Sequence, residues 1–149
     1  ANSDPMCISI SIRPATLTYH NIMSSQAFTV NIPSKELTAY VDFVGNFSGK
    51  DMNKFDTLGL TAVRADSVNA PYVKEFPINI ECKLLKTIDL GSHRMFIGQV
   101  MDTKIDQFVL NPDSTINIQK LQPISFNNDG YYGLGEWLGK PWNVYKTIK

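Results

Sequence analysis

Apolar and polar residues alternate with a period of two along the opening of the chain. Met6, Ile8, Ile10 and Ile12 take one set of positions, and Cys7, Ser9, Ser11 and Arg13 take the other. That spacing predicts a strand with one face on a core and one polar face that ends in a guanidinium. Pro14 breaks the run. Tyr19, Ile22 and Met23 then fall at helical spacing behind the hydroxyls of Thr16 and Thr18, so a short helix is expected to begin near Thr16 to Thr18. Residues 27–32 return to strand periodicity, with Phe28, Val30 and Ile32 on the apolar face and Pro33 at the end.

Leu37, Tyr40, Val41 and Val44 recur at i, i+3, i+4 and i+7 behind Ser34, which predicts an amphipathic helix over residues 35–44 that Gly45 terminates. A polar loop at 46–51 follows, and Met52, Phe55 and Leu58 resume helical spacing up to Gly59. Residues 61–68 read as a strand punctuated by Asn69-Ala70-Pro71. Ile78, Ile80, Cys82 and Leu84 alternate with polar neighbours, and the phase slips at Leu84 and Leu85, which predicts a bulge there. Gly91-Ser92 is a turn into a partner strand over 94–103. Long bent strands joined by short turns, with few brief helices, point to a closed antiparallel barrel over a parallel βαβ sheet. Residues 105–120 carry the loop signature Asn111-Pro112-Asp113 and little periodicity. The tail places Tyr131, Tyr132, Trp137 and Trp142 among Gly133, Gly135 and Gly139, a composition that suits a subunit interface, a flat ligand or terminal core packing.

The chain has 149 residues, enough for one domain that buries roughly two thirds of its unfolded surface. Lys plus Arg balances Asp plus Glu at 14 each, so no long-range field draws in nucleic acid or an anionic membrane, and any anion site has to be local. Cys7 and Cys82 lie in strand-like runs without metal-site spacing and read as reduced core thiols of a cytoplasmic protein. His20 and His93 are too few for a zinc or haem site, and no metal is expected. No apolar run approaches a membrane span and no signal-peptide pattern precedes the first strand. The sequence opens without a methionine, directly into a strand, as the middle of a domain does.

Candidate chemistry concentrates at the first strand-to-helix turn. Ser11, the Arg13 guanidinium, and Thr16 and Thr18 at a helix start are the groups that bind a phosphate, although the same residues also serve as an ordinary solvent face and cap. Ser48-Gly49-Lys50 before the next helix offers a hydroxyl, an accessible amide and an ammonium to the same phosphate, or is a solvated loop. GxGxxG, GxxxxGK[ST] and GxSxG patterns do not occur, and no carboxylate pair is placed for acid–base work. Any chemistry then falls to a bound cofactor.

The order of these blocks resembles the FMN-binding split-barrel family of flavin reductases. The resemblance rests on Ser3-Asp4-Pro5 before a strand, Ile10-Ser11-Ile12-Arg13-Pro14, Thr16, Thr18, Ile22 and Phe28-Thr29-Val30-Asn31-Ile32-Pro33. Ser48-Gly49-Lys50-Asp51 with Lys54-Phe55, Leu58-Gly59-Leu60-Thr61, Ala70-Pro71-Tyr72-Val73, Phe76-Pro77, Glu81-Cys82-Lys83-Leu84 and Tyr132-Gly133-Leu134-Gly135-Glu136 narrow it to the flavoredoxin branch. The resemblance covers essentially the whole chain. It implies a mainly β fold, a six-stranded antiparallel Greek-key split barrel that forms a homodimer. Each subunit holds one FMN near the interface and works by electron transfer with a redox partner protein or by NADH- or NADPH-dependent flavin reduction. By residue-for-residue match, Ser11, Arg13, Thr16 and Thr18 hold the FMN phosphate, Asn2 and Ser3 lie beside the isoalloxazine edge, and Ser48 and Lys50 form a second phosphate-binding group. The tail aromatics cover the flavin or the partner subunit. Family members carry a hairpin before the Ser-Asp-Pro block, which is missing from this sequence. That departure motivates a second function class, a dimeric β-barrel module that has lost flavin and binds another ligand or a protein.

Overall fold

The isoleucine row of the first strand finds its core. In the computed structural model, which describes residues 2–148, Ile8, Ile10 and Ile12 of β2 (Met6–Ile12) pack against a buried cluster of Ile22, Phe28, Cys82 and Phe96. Five antiparallel strands form the main sheet in the order β1-β2-β7-β6-β3, where β1 is Asn2–Ser3, β3 is Ala27–Ile32, β6 is Ile78–Asp89 and β7 is Arg94–Ile105. The chain is therefore mainly β with a few short helices, as its patterning implied. Ile78, Val109 and Leu121 make a second, smaller cluster at the far end of β6.

The predicted slip on β6 is present: its register against β7 shifts between Leu84 and Lys86, and a further shift lies between Glu81 and Cys82. The residue left unpaired, Leu85 of β6 at the first shift and Met101 of β7 at the second, bends and twists its own strand. Gly98 on β7 faces this bend. A Cβ built there meets Phe28 Cζ at 2.5 Å and Cys82 Cβ at 2.9 Å. Gly98→Ala is accordingly expected to destabilise the fold by about 1 to 3 kcal/mol through overpacking, read as a lower urea midpoint with an unchanged slope.

Several local expectations are corrected. Met6 is 61% exposed and Cys7 is buried, the reverse of the predicted faces. Cys7 pairs with Asn2 on one side and Gln99 on the other, and burial of Cys7 beside a half-buried Ile8 means both faces of the sheet are covered at that point. The first helix, α1 (Leu17–Ser25), starts where predicted and buries Ile22, but Met23 is exposed. Residues 35–44 split into a 3-10 turn, Lys35–Leu37, and α2 (Thr38–Asn46), which runs through Gly45. The Lys54 ammonium donates to the Val44 carbonyl at 2.5 Å and so serves the end of α2 in place of a glycine cap. The expected strand over 61–68 shortens to β4 (Ala62–Arg64), paired with β5 (Pro71–Val73), because the Ser67 amide donates to the Glu81 carboxylate at 2.8 Å instead of to a strand. The helix that ends at Gly59 is α3 (Lys54–Leu58), with Gly59 in the left-handed region.

Both cysteines are buried and free, and burial pushes the Cys82 thiol up to about 11. After α4 (Ile118–Leu121) the tail forms a hairpin, β8 (Ile124–Asn127) with β9 (Gly130–Gly133), which leans on α2 through Tyr131 Oη donating to Asp42 at 3.3 Å. The tail is not core packing: Trp137 and Trp142 are 75% and 89% exposed.

Candidate functional site

At the end of β2 the chain reverses through Arg13-Pro14-Ala15 and enters α1 with Thr16 as N-cap. The Thr16 hydroxyl donates to the Arg13 carbonyl at 2.9 Å and accepts from the Tyr19 amide at 3.2 Å. Its proton is thus committed to the turn, and Thr16 fixes the Arg13 backbone against the helix start. The Arg13 guanidinium and the Thr18 hydroxyl are exposed and have no side-chain partner among the described residues. The amides of the first helical turn lack intrahelical acceptors and add partial positive charge in front of them.

The loop after α2 closes the other side. The Asp51 amide donates to the Ser48 carbonyl at 3.2 Å and the Lys50 amide to the Ser48 hydroxyl at 3.1 Å, a tight turn that holds Ser48 and Lys50 together. Gly49 rests on the first residue of α1, where an added Cβ lies 3.1 Å from Leu17 Cδ2. This close approach is the tertiary contact that joins the two polar segments.

Between them lies a cleft of about 970 Å³ whose walls include Arg13, Thr16, Thr18, Ser48 and Lys50. Two groups proposed from distant parts of the sequence therefore share one space. The cleft also receives Lys54, against a single carboxylate, Asp51, so its walls carry excess positive charge. Burial lowers the Lys54 pKa, the expected response of an ammonium partly removed from water. Lys54 was visible in the sequence only as part of the Lys54-Phe55 block, and its position in a helix start gave no sign that it reaches back to α2. Behind it sits an apolar pocket of about 330 Å³, walled by Val41, Val44, Phe55 and Phe76 among others.

The remaining predicted residues stand apart from the cleft. Ser11 is exposed on β2 opposite Met95, and Asn2 and Ser3 form the edge strand β1, with the Asn2 amide donating to the Asp4 carbonyl at 3.0 Å. Among the described residues no group of three or more His, Cys, Asp or Glu side chains is placed to hold a metal ion, and no helix is long and apolar enough to cross a membrane.

Chemically, the cleft offers a planar fork of donors, two ammonium groups, free hydroxyls and helix-start amides, with no acid–base pair among its walls. That is an anion-binding arrangement.

Comparison with known proteins bears on which anion. The family model described as flavin reductase like domain matches residues 1–135. The structure of flavoredoxin from Desulfovibrio vulgaris (Miyazaki F) superposes with a TM-score of 0.91 at 41% identity, covering 97% of this chain and 78% of that one. Flavoredoxin from Methanosarcina acetivorans gives a TM-score of 0.91 at 21% identity, covering 100% of this chain and 80% of that one. A split-barrel flavin reductase-like structure from Shewanella frigidimarina shares the fold, with a TM-score of 0.83 at 24% identity over 95% of this chain and 73% of that one. Against curated relatives, the chain spans 71% of the length of an Archaeoglobus fulgidus protein, 59% of one from Aquifex aeolicus and 56% of one from Pyrococcus abyssi.

Proposed function

The chain belongs to the flavin reductase like domain family, in its flavoredoxin branch, and from that membership we propose that it is an FMN-binding flavoprotein that works by electron transfer with a redox partner protein or by NADH- or NADPH-dependent flavin reduction. The observation that carries the proposal is the convergence of Arg13, Thr16 and Thr18 with Ser48 and Lys50 on one cleft. A phosphate monoester is a dianion with several acceptor oxygens and no donor at neutral pH. The cleft's donors and positive charge match it, and the residues present fit the group.

In this reading Arg13, Thr18 and Ser48 would offer donors to the phosphate, and Lys50 and Lys54 would balance its charge. Thr16 positions Arg13. Ser11, Asn2 and Ser3 extend the site along β2 and β1, with Asn2 and Ser3 beside the isoalloxazine edge. When bound, the flavin ring supplies acceptance and release of electrons, which explains a site without acid–base side chains. The protein's part is to hold the phosphate and to control water at the ring. We assign the exposed tail aromatics, Trp137 and Trp142 foremost, to a homodimer contact, since an apolar surface of that kind is an interface in soluble proteins.

An absorption spectrum of the purified protein with FMN tests the reading. Bound flavin stays with the protein through desalting, read as visible absorbance of the protein fraction, and its fluorescence is quenched. Anaerobic bleaching by NADPH or NADH then identifies a reductase, and bleaching by neither identifies a carrier supplied by a protein donor. Protein that leaves FMN fluorescence unquenched defeats the proposal and favours the flavin-free binding module.

A further inference from the structure

We propose that the apolar pocket behind Lys54 is a second binding site, which takes a small neutral ring compound and holds an acceptor oxygen of it on the Lys54 ammonium. The pocket stands on its own geometry, whereas the choice of a neutral ligand rests on the phosphate reading above.

Val41 and Val44 of α2, Phe55 of α3, Leu60 shortly after it, Val73 of β5 and Phe76 wall a space of about 330 Å³. Val41 and Val44 are three residues apart and share one helix face. Burial of such a face is the main source of a short helix's stability in a protein. Here every residue of α2 and α3 is half-buried or exposed, so the valine face meets open space where a packed core is expected. Among the described residues the polar walls are Asn31 and Lys54. Asn31 is spent within the fold: its Oδ1 accepts the Val73 amide at 2.9 Å and its Nδ2 donates to the Thr29 hydroxyl at 3.1 Å. A held water needs about two to four polar partners, so the lining suits an apolar occupant better than water.

Size and charge set the class of that occupant. An apolar cavity of about 150 Å³ accepts benzene. This pocket has roughly twice that volume, room for one six-membered ring with a short substituent. The Lys54 ammonium has three donors, and the bond to the Val44 carbonyl uses one of them while holding the nitrogen at a residue that walls the pocket. An ammonium only donates, so the ligand's polar group is an acceptor. Val44, Lys54 and Phe55 also wall the phosphate cleft, where three cations, Arg13, Lys50 and Lys54, stand against one carboxylate, Asp51. The net of two positive charges is balanced by one phosphate dianion, so a second anion finds no charge left and the ligand is neutral. The described walls of the pocket include no residue of β1 or β2, along which the flavin ring is assigned, so this site is separate from the ring.

Titration of the FMN-loaded full chain with acetophenone, ethylbenzene and benzoate, followed by methyl NMR of the valines and leucines, tests the assignment. Acetophenone is expected to shift the methyls of Val41, Leu60 and Val73 saturably and to bind about tenfold tighter than ethylbenzene, with benzoate weaker than acetophenone. Val41→Phe and Leu60→Phe each fill the pocket and should abolish the saturable shifts. Thermal melting and FMN quenching show which of the two is folded. In Lys54→Met the acetophenone affinity should fall to that of ethylbenzene, whose own affinity stays within about twofold of wild type. Wild type without saturable shifts at those methyls overturns the proposal, and so does binding that a folded, filled variant retains. Equal affinity for acetophenone and ethylbenzene removes Lys54 from the site, and benzoate binding as tightly as acetophenone overturns the neutral class. A wild type that fails to bind FMN defeats the flavin reading instead, and the same titration of the unloaded chain then decides the pocket by itself.

Discussion

Arg13→Ala is expected to weaken FMN binding by about 1.5 to 3 kcal/mol, roughly a tenfold to 150-fold rise in Kd. The size of the effect follows from what Arg13 does in the free protein. Its guanidinium has no acid or carbonyl partner among the described residues, so nothing competes with the phosphate for its donors. The Thr16 hydroxyl and amide both reach the Arg13 carbonyl, at 2.9 and 3.1 Å, so the backbone that carries the side chain is already in place before the ligand arrives. The ordering cost that remains is that of the side chain itself, which offsets part of the charge-assisted bonds. Arg13→Lys keeps the charge and loses the fork, and an intermediate affinity is expected. Because the exposed side chain makes no hydrogen bond or ion pair among the described residues, the stability of Arg13→Ala from urea unfolding should stay within about 0.5 kcal/mol of wild type. Fluorescence-quench titration reads the affinity, and an unchanged Kd removes Arg13 from the site.

The contrast between Arg13 and Lys54 marks how far the sequence reaches. Periodicity reports short-range structure, and it places β3 (Ala27–Ile32), the start of α1 and the slip on β6 because each is decided by neighbours within a few residues. The Arg13 turn and the Ser48 loop were each legible as phosphate donors for the same reason. That the two serve the same phosphate was an expectation held beside a solvated-loop alternative; what spacing did not show is the contact that joins them, Gly49 against Leu17, between segments 32 residues apart by numbering (49 − 17). Lys54 was missed because its service to the Val44 carbonyl bridges two helices. Met6 and Cys7 were misassigned because alternation assumes one covered face, whereas Cys7 is buried on the face opposite the half-buried Ile8, and Met6, at the turn from β1, is left exposed. The strand predicted over 61–68 gave way to a buried carboxylate on another strand that takes the amides a ladder would have used. In each case a tertiary partner outbid a local preference.

That carboxylate is the most consequential polar group outside the cleft. Glu81 sits on β6 with no exposed surface, accepts the Ser67 amide at 2.8 Å and the Asp66 amide at 3.4 Å, and lies 3.3 Å from the Lys104 ammonium. Lys104 in turn meets Asp66 at 2.6 Å and Asp102 at 3.1 Å. Glu81→Ala is expected to cost about 3 kcal/mol of stability, which for a chain of this size lowers Tm by roughly 10 °C. Removing the carboxylate takes away the acceptor of two part-buried amide bonds and leaves a void where a fully buried side chain stood, while Lys104 keeps its two other partners. The loss is therefore one of buried hydrogen bonds more than of ion pairing. Glu81→Leu, which fills the space and still leaves the amides unpaired, should recover less than half of it. Asp66→Asn, at the exposed end of the cluster, should change stability little. Acid distinguishes the members further. The Lys104 hydrogen bond, foremost, holds the Asp102 carboxyl below its ordinary 3.8, so its contribution is present above that value and is lost as pH falls through the lower folded one. Lys104, raised by its bonds to Asp66 and then Asp102, stays charged throughout that window. Urea titrations at pH 7 and pH 3 should therefore show the wild type losing stability on acidification and Asp102→Asn losing less. A Glu81→Ala midpoint close to that of the wild type would mean that the loop at Asp66 and Ser67 is held by something other than this buried acid.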